Sequence, residues 1–309
     1  MIRNLPSLVT VAVFVLLYAL CALQFPFMLS AEVLLNLLTD NAFLGVLAVG
    51  MTVVILSGGI DLSVGAVVAF TGVLLALLIG TGVHPLLAFA IVLAVGTAYG
   101  ALIGAAIHWL EAPPFIVTLA AMFLARGACF LLTTDSIPIN HPIYTELSGG
   151  SGFSAVVMLL AFAGAAVMLR MTRFGASVHA LGGDPRAAAL MGVPVARTTI
   201  LIYAFSSFAA ALAGILFSIY TQSAQSLAAV GIELDAIAAV VIGGTLLSGG
   251  YRGVLGSFFG VMILGLIQSY IIFTGTLSSW WAKIATGALL FAFIAMQRLI
   301  LLLSPRQTP

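Results

Sequence analysis

Lysine is almost missing from this chain: Lys283, in Trp281-Ala282-Lys283-Ile284, is the only one in 309 residues. A phosphate-binding loop needs G-x-x-x-x-G-K-[ST], because its lysine reaches the β- and γ-phosphates of a nucleotide. No such loop can be drawn here. Charge of either sign is scarce too, at 6% of residues, where soluble domains carry about 25%. Ten basic and nine acidic residues leave a net charge of +1, so nothing points to nucleic acid. The two cysteines, Cys21 and Cys129, sit in apolar stretches and match no metal or disulfide spacing. His84, His108, His141 and His179 lie far apart, with no metal-ligand pair among them.

What the chain does have is apolar sequence, 63% of it. A bilayer core about 30 Å thick takes about 20 apolar residues per helical crossing. Ten such segments can be drawn: Leu8–Gln24, Val33–Leu56, Val64–Gly80, Pro85–His108, Phe115–Leu132, Phe153–Leu169, Thr198–Tyr220, Leu234–Leu247, Val254–Phe273 and Trp280–Leu302. The expectation is an all-α integral membrane protein of about ten transmembrane helices, with residues 1–309 as one transmembrane domain. Arg3 before the run Leu8–Leu23 resembles a signal peptide, but the run is long and more spans follow, so it reads as an uncleaved first helix. Arg170, Arg173, Arg186 and Arg197 cluster after the sixth segment. Loops rich in Lys and Arg stay in the cytoplasm. Counting crossings from that loop puts both termini inside and the loop 133–152 outside.

Leu56-Ser57-Gly58-Gly59 spells LSGG, the signature of ATP-binding cassette ATPases, and Leu247-Ser248-Gly249-Gly250 spells it again. Without a P-loop, and after apolar runs, the string reads as backbone geometry instead. The two copies lie 191 residues apart, and Ala48-Val49 with Ala239-Val240 and Gly65 with Gly256 keep the same offset. This weak internal repeat suggests two Gly-Gly hairpins, parallel by the span count. Gly65, Gly256 and Gly260 suit close helix contact.

Charges at membrane depth are expensive, and a functional role is the default reading. Asp61 caps the following helix, or pairs with Arg252 at the matched place in the second copy, or lines a path. Glu233 and Asp235 open the eighth segment, either as acids on the helix dipole or as a polar wall of a substrate path. Arg126 needs a partner or a cavity. Asn36, Asn41, Thr52, Gln222 and Gln268 suit a hydroxyl-rich ligand and equally suit hydrogen bonds between helices. Gly149-Gly150-Ser151-Gly152 matches the G-x-S-G of intramembrane serine proteases. That chemistry needs a histidine base, and the only later one, His179, falls in the opposite loop.

The loop 170–197 is long for a connector. Asp184-Pro185 is an N-cap followed by proline at the first helical position. The spacing predicts a short helix over 186–191, ended by Gly192 with Pro194 beyond. Ala187-Ala188 followed by Gly192 has the spacing of the EAA-x-x-x-G loop of ABC importer permeases, with Arg186 where that loop has Glu. GMTVVILSGGIDLSVG (50–65), the run from Thr172 to Gly192, and ELDAIAAVVIGGTLLSGG (233–250) together resemble the ribose/xylose/galactofuranose branch of ABC sugar permeases over nearly the whole chain. SIPINHPIY (136–144) and GTLSSWW (275–281) are most similar to one of the two permease subunits of the bacterial galactofuranose importer.

The resemblance implies a bacterial inner-membrane permease without enzymatic activity or cofactor of its own. Its implied partners are a twin-cassette ATPase, a homologous second permease in a heterodimer, and a periplasmic sugar-binding protein. Asp184, Arg186, Ala187, Ala188 and Gly192 then belong to a cytoplasmic coupling helix that meets the ATPase. An autonomous proton-coupled secondary transporter, using Asp61, Glu233 or Asp235, is the alternative.

Overall fold

The computed structural model describes residues 5–148, 152–246, 249, 253–276, 278 and 280–303, with backbone alone for 5–7 and 297–303. Of the motifs above, Arg252, Leu247, Ser248, Gly250 and Gly149-Gly150-Ser151 lie outside the described residues. The described chain is helical almost throughout. In order it forms α1 (Leu5–Gln24), a 3-10 turn (Pro26–Leu29), α2 (Ala31–Asp40), α3 (Ala42–Leu56), α4 (Val64–Gly80), α5 (Pro85–Trp109) and α6 (Pro114–Leu132). There follow β1 (Ile137–Pro138), α7 (Pro142–Ser148), α8 (Phe153–Met171), α9 (Arg173–Gly183), α10 (Pro185–Leu190) and α11 (Val195–Thr221). The chain closes with β2 (Ser223–Ala224), α12 (Ile232–Ile242), α13 (Val254–Thr274) and α14 (Trp280–Leu303).

Five helices, α5, α6, α8, α11 and α13, are long and apolar enough to cross a bilayer alone. The α2–α3 pair passes only as one broken unit, bent by 51°. Apolar stretches in α1, α4 and α14 are shorter. Every expected segment holds a helix, but three regions differ from the sequence expectation. The second segment breaks at Asn41, whose side-chain amide donates to the Leu37 carbonyl at 2.8 Å. The eighth ends at Ile242 rather than Leu247. There the Gly244 and Thr245 amides bond back to Val241 and Val240 at 2.9 and 3.2 Å, and Gly244 takes φ +90°. This is a Schellman stop, supplied by Gly243-Gly244 and not by the later LSGG. The third difference is α9, a whole helix inside the arginine loop. Thr172 caps it by accepting from the Gly175 amide, and Gly175, Val178 and Leu181 form its buried side.

α3 lies at the centre, with all its residues buried except Phe43. It packs against α11, α12, α13 and α8, while α4 packs against α11, α5 and α6. The helices flanking the first Gly-Gly break therefore meet through their shared neighbour α11, whereas α12 and α13 pack on each other. Lipid offers no hydrophobic drive between helices, so close packing of small residues must hold them. Gly96, Gly100 and Gly104 repeat every four residues along α5 and place one bare stripe against α11. A Cβ on Gly100 would meet the Tyr203 carbonyl and the Ser207 side chain. Outward, α1, α5, α6, α8 and α14 expose leucine and phenylalanine, as lipid-facing surfaces do.

Contacts sort the loops into two ends, as alternating crossings require. At one end Gly249 lies against the backbone of Gly58 and against the Gly182 carbonyl at the close of α9. At the other, β1 pairs antiparallel with β2, Ile137 opposite Ala224, and His84 meets His141 ring to ring at 6.3 Å.

Candidate functional site

The first LSGG is a helix stop. Gly58 takes φ +81°, its amide bonds to Ile55 at 2.9 Å, and the Gly59 amide bonds to Val54 at 3.1 Å. These are the two bonds of a Schellman motif, so the string serves the backbone here. It delivers the chain into a turn that ends in Asp61. The Asp61 carboxylate is fully buried. One oxygen accepts from the Ser63 amide at 3.0 Å and the Ser63 hydroxyl at 2.6 Å; the other accepts from the Ser206 hydroxyl of α11 at 2.8 Å. Close by, Thr118 donates to the Ile60 carbonyl at 3.3 Å, tying α6 to the same turn. The hydroxyls of Tyr203 and Ser207 in α11 are buried, with no hydrogen-bond partner among the described residues. The expected partner of Asp61, Arg252, lies outside the described residues.

A second polar group forms where residues 222–231 run alongside α6. Arg126 donates to the carbonyls of Ser226 and Ala228 at 2.6 and 2.8 Å. The Ser226 hydroxyl reaches the carbonyls of Cys129 and Thr133. Gln222, in the left-handed region at φ +50°, donates its amide to Ser148 at 2.8 Å. The segment then leads to Glu233 in the first turn of α12. The Glu233 carboxylate and the Ala229 carbonyl fill the space where a Cβ on Gly65 would sit, so this glycine admits the start of α12 against the start of α4. Arg126 and Glu233 are near enough to interact electrostatically, yet one buried oxygen of Glu233 has no hydrogen-bond partner among the described residues. Asp235 instead pairs with Lys283 of α14 at 2.5 Å, with 24% and 55% of the two side chains exposed. Ion pairs this open contribute little, typically about 0–1 kcal/mol.

The neutral candidates are dispersed. Thr52 of α3 shares a 2.8 Å hydrogen bond with Ser257 of α13 and also donates to the Ala48 carbonyl. Asn41 lies against Gly265 of α13. Asn36 and Gln268 are exposed on α2 and α13. Among the described residues, open grooves include one of about 520 Å³ between α1, α13 and α14 and one of about 320 Å³ between α3, α8 and α11. Both are lined almost wholly by apolar side chains, and none of the candidate path residues lines either.

The capped helix forms as the spacing predicts. One Asp184 oxygen accepts from the Arg186 and Ala187 amides at 2.8 and 3.1 Å, and Pro185 opens α10. Gly192 ends the turn at φ +83°. Ala188 is buried, while Arg186 and Ala187 are exposed, and Leu190 and Met191 stand 90% and 72% exposed. Asp184→Ala is expected to cost about 1 kcal/mol of local helix stability. The readout is faster amide hydrogen exchange at Arg186 and Ala187, with the melting temperature of the whole protein unchanged.

Three partners escaped the sequence reading. Ser206 and Ser207 interrupt an otherwise apolar run in α11, which was a usable signal. Lys283, as the only lysine, called for an acid. The carbonyl partners of Arg126 belong to an irregular segment that no periodicity announces.

A family model described as branched-chain amino acid transport system / permease component matches residues 33–294. The chain is 58% identical to the inner membrane ABC transporter permease protein YjfF of Escherichia coli (strain K12), covering 96% of this chain and 92% of that protein. It is 41% identical to the ribose import permease protein RbsC of Bacillus subtilis (strain 168), covering 86% and 84%. It is 36% identical to the fructose import permease protein FruG of Bifidobacterium longum (strain NCC 2705), covering 97% and 92%. No solved structure matches.

Proposed function

Since the chain belongs to the branched-chain amino acid transport system / permease component family and is a membrane permease subunit of the ABC sugar-importer kind, we propose that it forms half of the sugar path of a bacterial inner-membrane importer of galactofuranose. The observation that carries the reading is α10. A short helix held by Asp184 and Pro185 presents Leu190 and Met191 to solvent at the end opposite the β1–β2 ladder. An exposed apolar pair beside Arg186 fits a docking knob for an ATPase, and that end is assigned to the cytoplasm with both termini. The whole chain, 1–309, is read as one permease domain of about ten membrane segments, needing no cofactor.

The dispersal of the polar candidates supports a path completed by a second, homologous permease. Asn36 and Gln268, exposed on this subunit, are assigned to that shared path with Asn41, Thr52, Gln222, Glu233 and Asp235 in support. A twin-cassette ATPase below and a periplasmic sugar-binding protein above complete the machine. Galactofuranose is preferred among sugars because SIPINHPIY and GTLSSWW resemble a permease of that importer. The ATPase moves α10 and so biases the bundle between outward and inward access, a two-state equilibrium shifted by differential contacts.

The test is uptake by the assembled complex in vesicles, with galactofuranose, ribose and xylose compared. Galactofuranose is expected to be taken up most strongly, and only with ATP. Preference for another sugar would remove the substrate assignment. Sugar accumulation by this chain alone under a pH gradient would replace the importer reading with the proton-coupled one.

A further inference from the structure

The turn between α3 and α4 is held at two points, at Gly58 by Gly249 backed by the end of α9, and at Asp61 by Ser206 of α11. At Gly58, the grip is backbone on backbone. A Cβ placed on Gly249 would lie 2.9 Å from the Gly58 nitrogen and 3.0 Å from the Gly182 carbonyl. Gly58, Gly249 and the end of α9 therefore meet at one point with no side chain between them. Gly58 and Gly249, 191 residues apart, also share the same φ of +81°. Three residues after Gly58, Asp61 accepts the Ser206 hydroxyl of α11 at 2.8 Å. Between Gly182 and Ser206 the chain runs without interruption through α10 and into α11. Ser206 stands about 17 Å along α11 from Val195 at 1.5 Å per residue.

We propose that Asp61 is a positioning residue for transport: with Ser206 it forms the upper of two grips by which movement of α10 is carried into the turn that joins α3 to α4. The lower grip, at Gly182, Gly249 and Gly58, sits beside α10 itself. The upper one is offset along a continuous helix. A tilt of α9–α10–α11 therefore displaces the two ends of the turn by different amounts and rotates it. α3 is the central helix of the bundle and α4 lies beside the start of α12, so rotating this turn moves the elements around which the others pack. A buried carboxylate suits the task. Its hydrogen bonds are short and directional, and leaving them unmade in an apolar interior is costly. The bond to Ser206 therefore transmits force in place of slipping.

This inference rests on the importer reading above and is tested in the assembled complex, by the ratio of sugar taken up to ATP hydrolysed. Asp61→Asn and Ser206→Ala are each expected to lower that ratio about tenfold, within the range of measured couplings between sites, while complex yield and ATP hydrolysis without sugar stay at wild type. The double variant is expected to fall no further than the worse single one, because both act on one contact, which Asp61→Asn strips of its charge and Ser206→Ala removes. Ser206→Thr keeps the hydroxyl and is expected to restore the wild-type ratio. An unchanged ratio in Ser206→Ala overturns the proposal. So does a loss of uptake matched by an equal loss of assembled complex, which marks a packing role only. If Asp61→Asn does not assemble, the comparison of Ser206→Ala with Ser206→Thr decides alone. A wild-type complex that takes up no sugar with ATP defeats the importer reading itself, and is told apart because no variant is needed to see it.

Discussion

Gly100→Leu is expected to yield almost no folded protein from the membrane. Gly100 is the middle of three glycines by which α5 lies directly on α11. The space for its Cβ is already occupied by the Tyr203 carbonyl, with the Ser207 side chain close behind. A carbonyl inside a helix cannot turn aside, so α5 and α11 must separate. Overpacking a core costs typically about 1–3 kcal/mol when side chains can adjust. Here the first added atom meets backbone, and the loss is expected at or above the top of that range. Separation also withdraws α11 from Asp61, since Ser206 and Ser207 are adjacent. The measurement is monodisperse yield and melting temperature in detergent. Gly164→Leu is the control, because nothing lies within 4 Å of a Cβ on that glycine, and it is expected to behave as wild type. Equal melting of the two variants would refute the close-packed α5–α11 contact.

Arg126→Met is expected to be the next most damaging change, through a different cause. The methionine fills similar space in α6 but gives no hydrogen bonds. The Ser226 and Ala228 carbonyls lose their donor where no strand or helix can supply another. A buried polar group left unsatisfied costs about 1–3 kcal/mol, and two are exposed to that cost. Glu233 loses its nearby positive charge as well. Arg126→Lys should fall between, because one ammonium is a point charge and cannot reproduce the guanidinium fork. The check is protease sensitivity and hydrogen exchange of residues 222–231, with sugar uptake of the complex falling in step. Protection of that segment at the wild-type level in Arg126→Met would show that Ser226, through Cys129 and Thr133, holds it unaided.

How much of this was legible beforehand depends on the kind of signal. Apolar runs gave the helices, because a membrane segment needs only length and hydrophobicity. The α10 cap was legible to the residue, since Asp-Pro and Gly-x-Pro act locally. The break at Asn41 and the early stop at Gly243-Gly244 were not. Both fall inside apolar runs where hydropathy is blind to backbone direction, and the LSGG that begins three residues after Gly244 was the louder string. Asp61 could be singled out from cost alone, but its partner could not. Ser206 lies 145 residues away on another helix, and only packing brings the two together. The Asp61–Arg252 pairing drawn from the internal repeat falls on a residue outside the described ones; the described contacts of Asp61 are with serines.

α12 has only 11 residues, about 16 Å of helix, roughly half the apolar thickness of a bilayer. A membrane helix is recognised over a window of about 19 apolar residues, and the first turn of α12 itself holds Glu233 and Asp235. α12 therefore cannot enter the membrane on its own merit as the chain emerges. Its entry waits for α13 to follow and pack against it, and for Arg126, made earlier, to receive residues 226–228. Biogenesis of the last quarter is thus a concerted step in which a half-length helix, its irregular leader and the next full span are committed together.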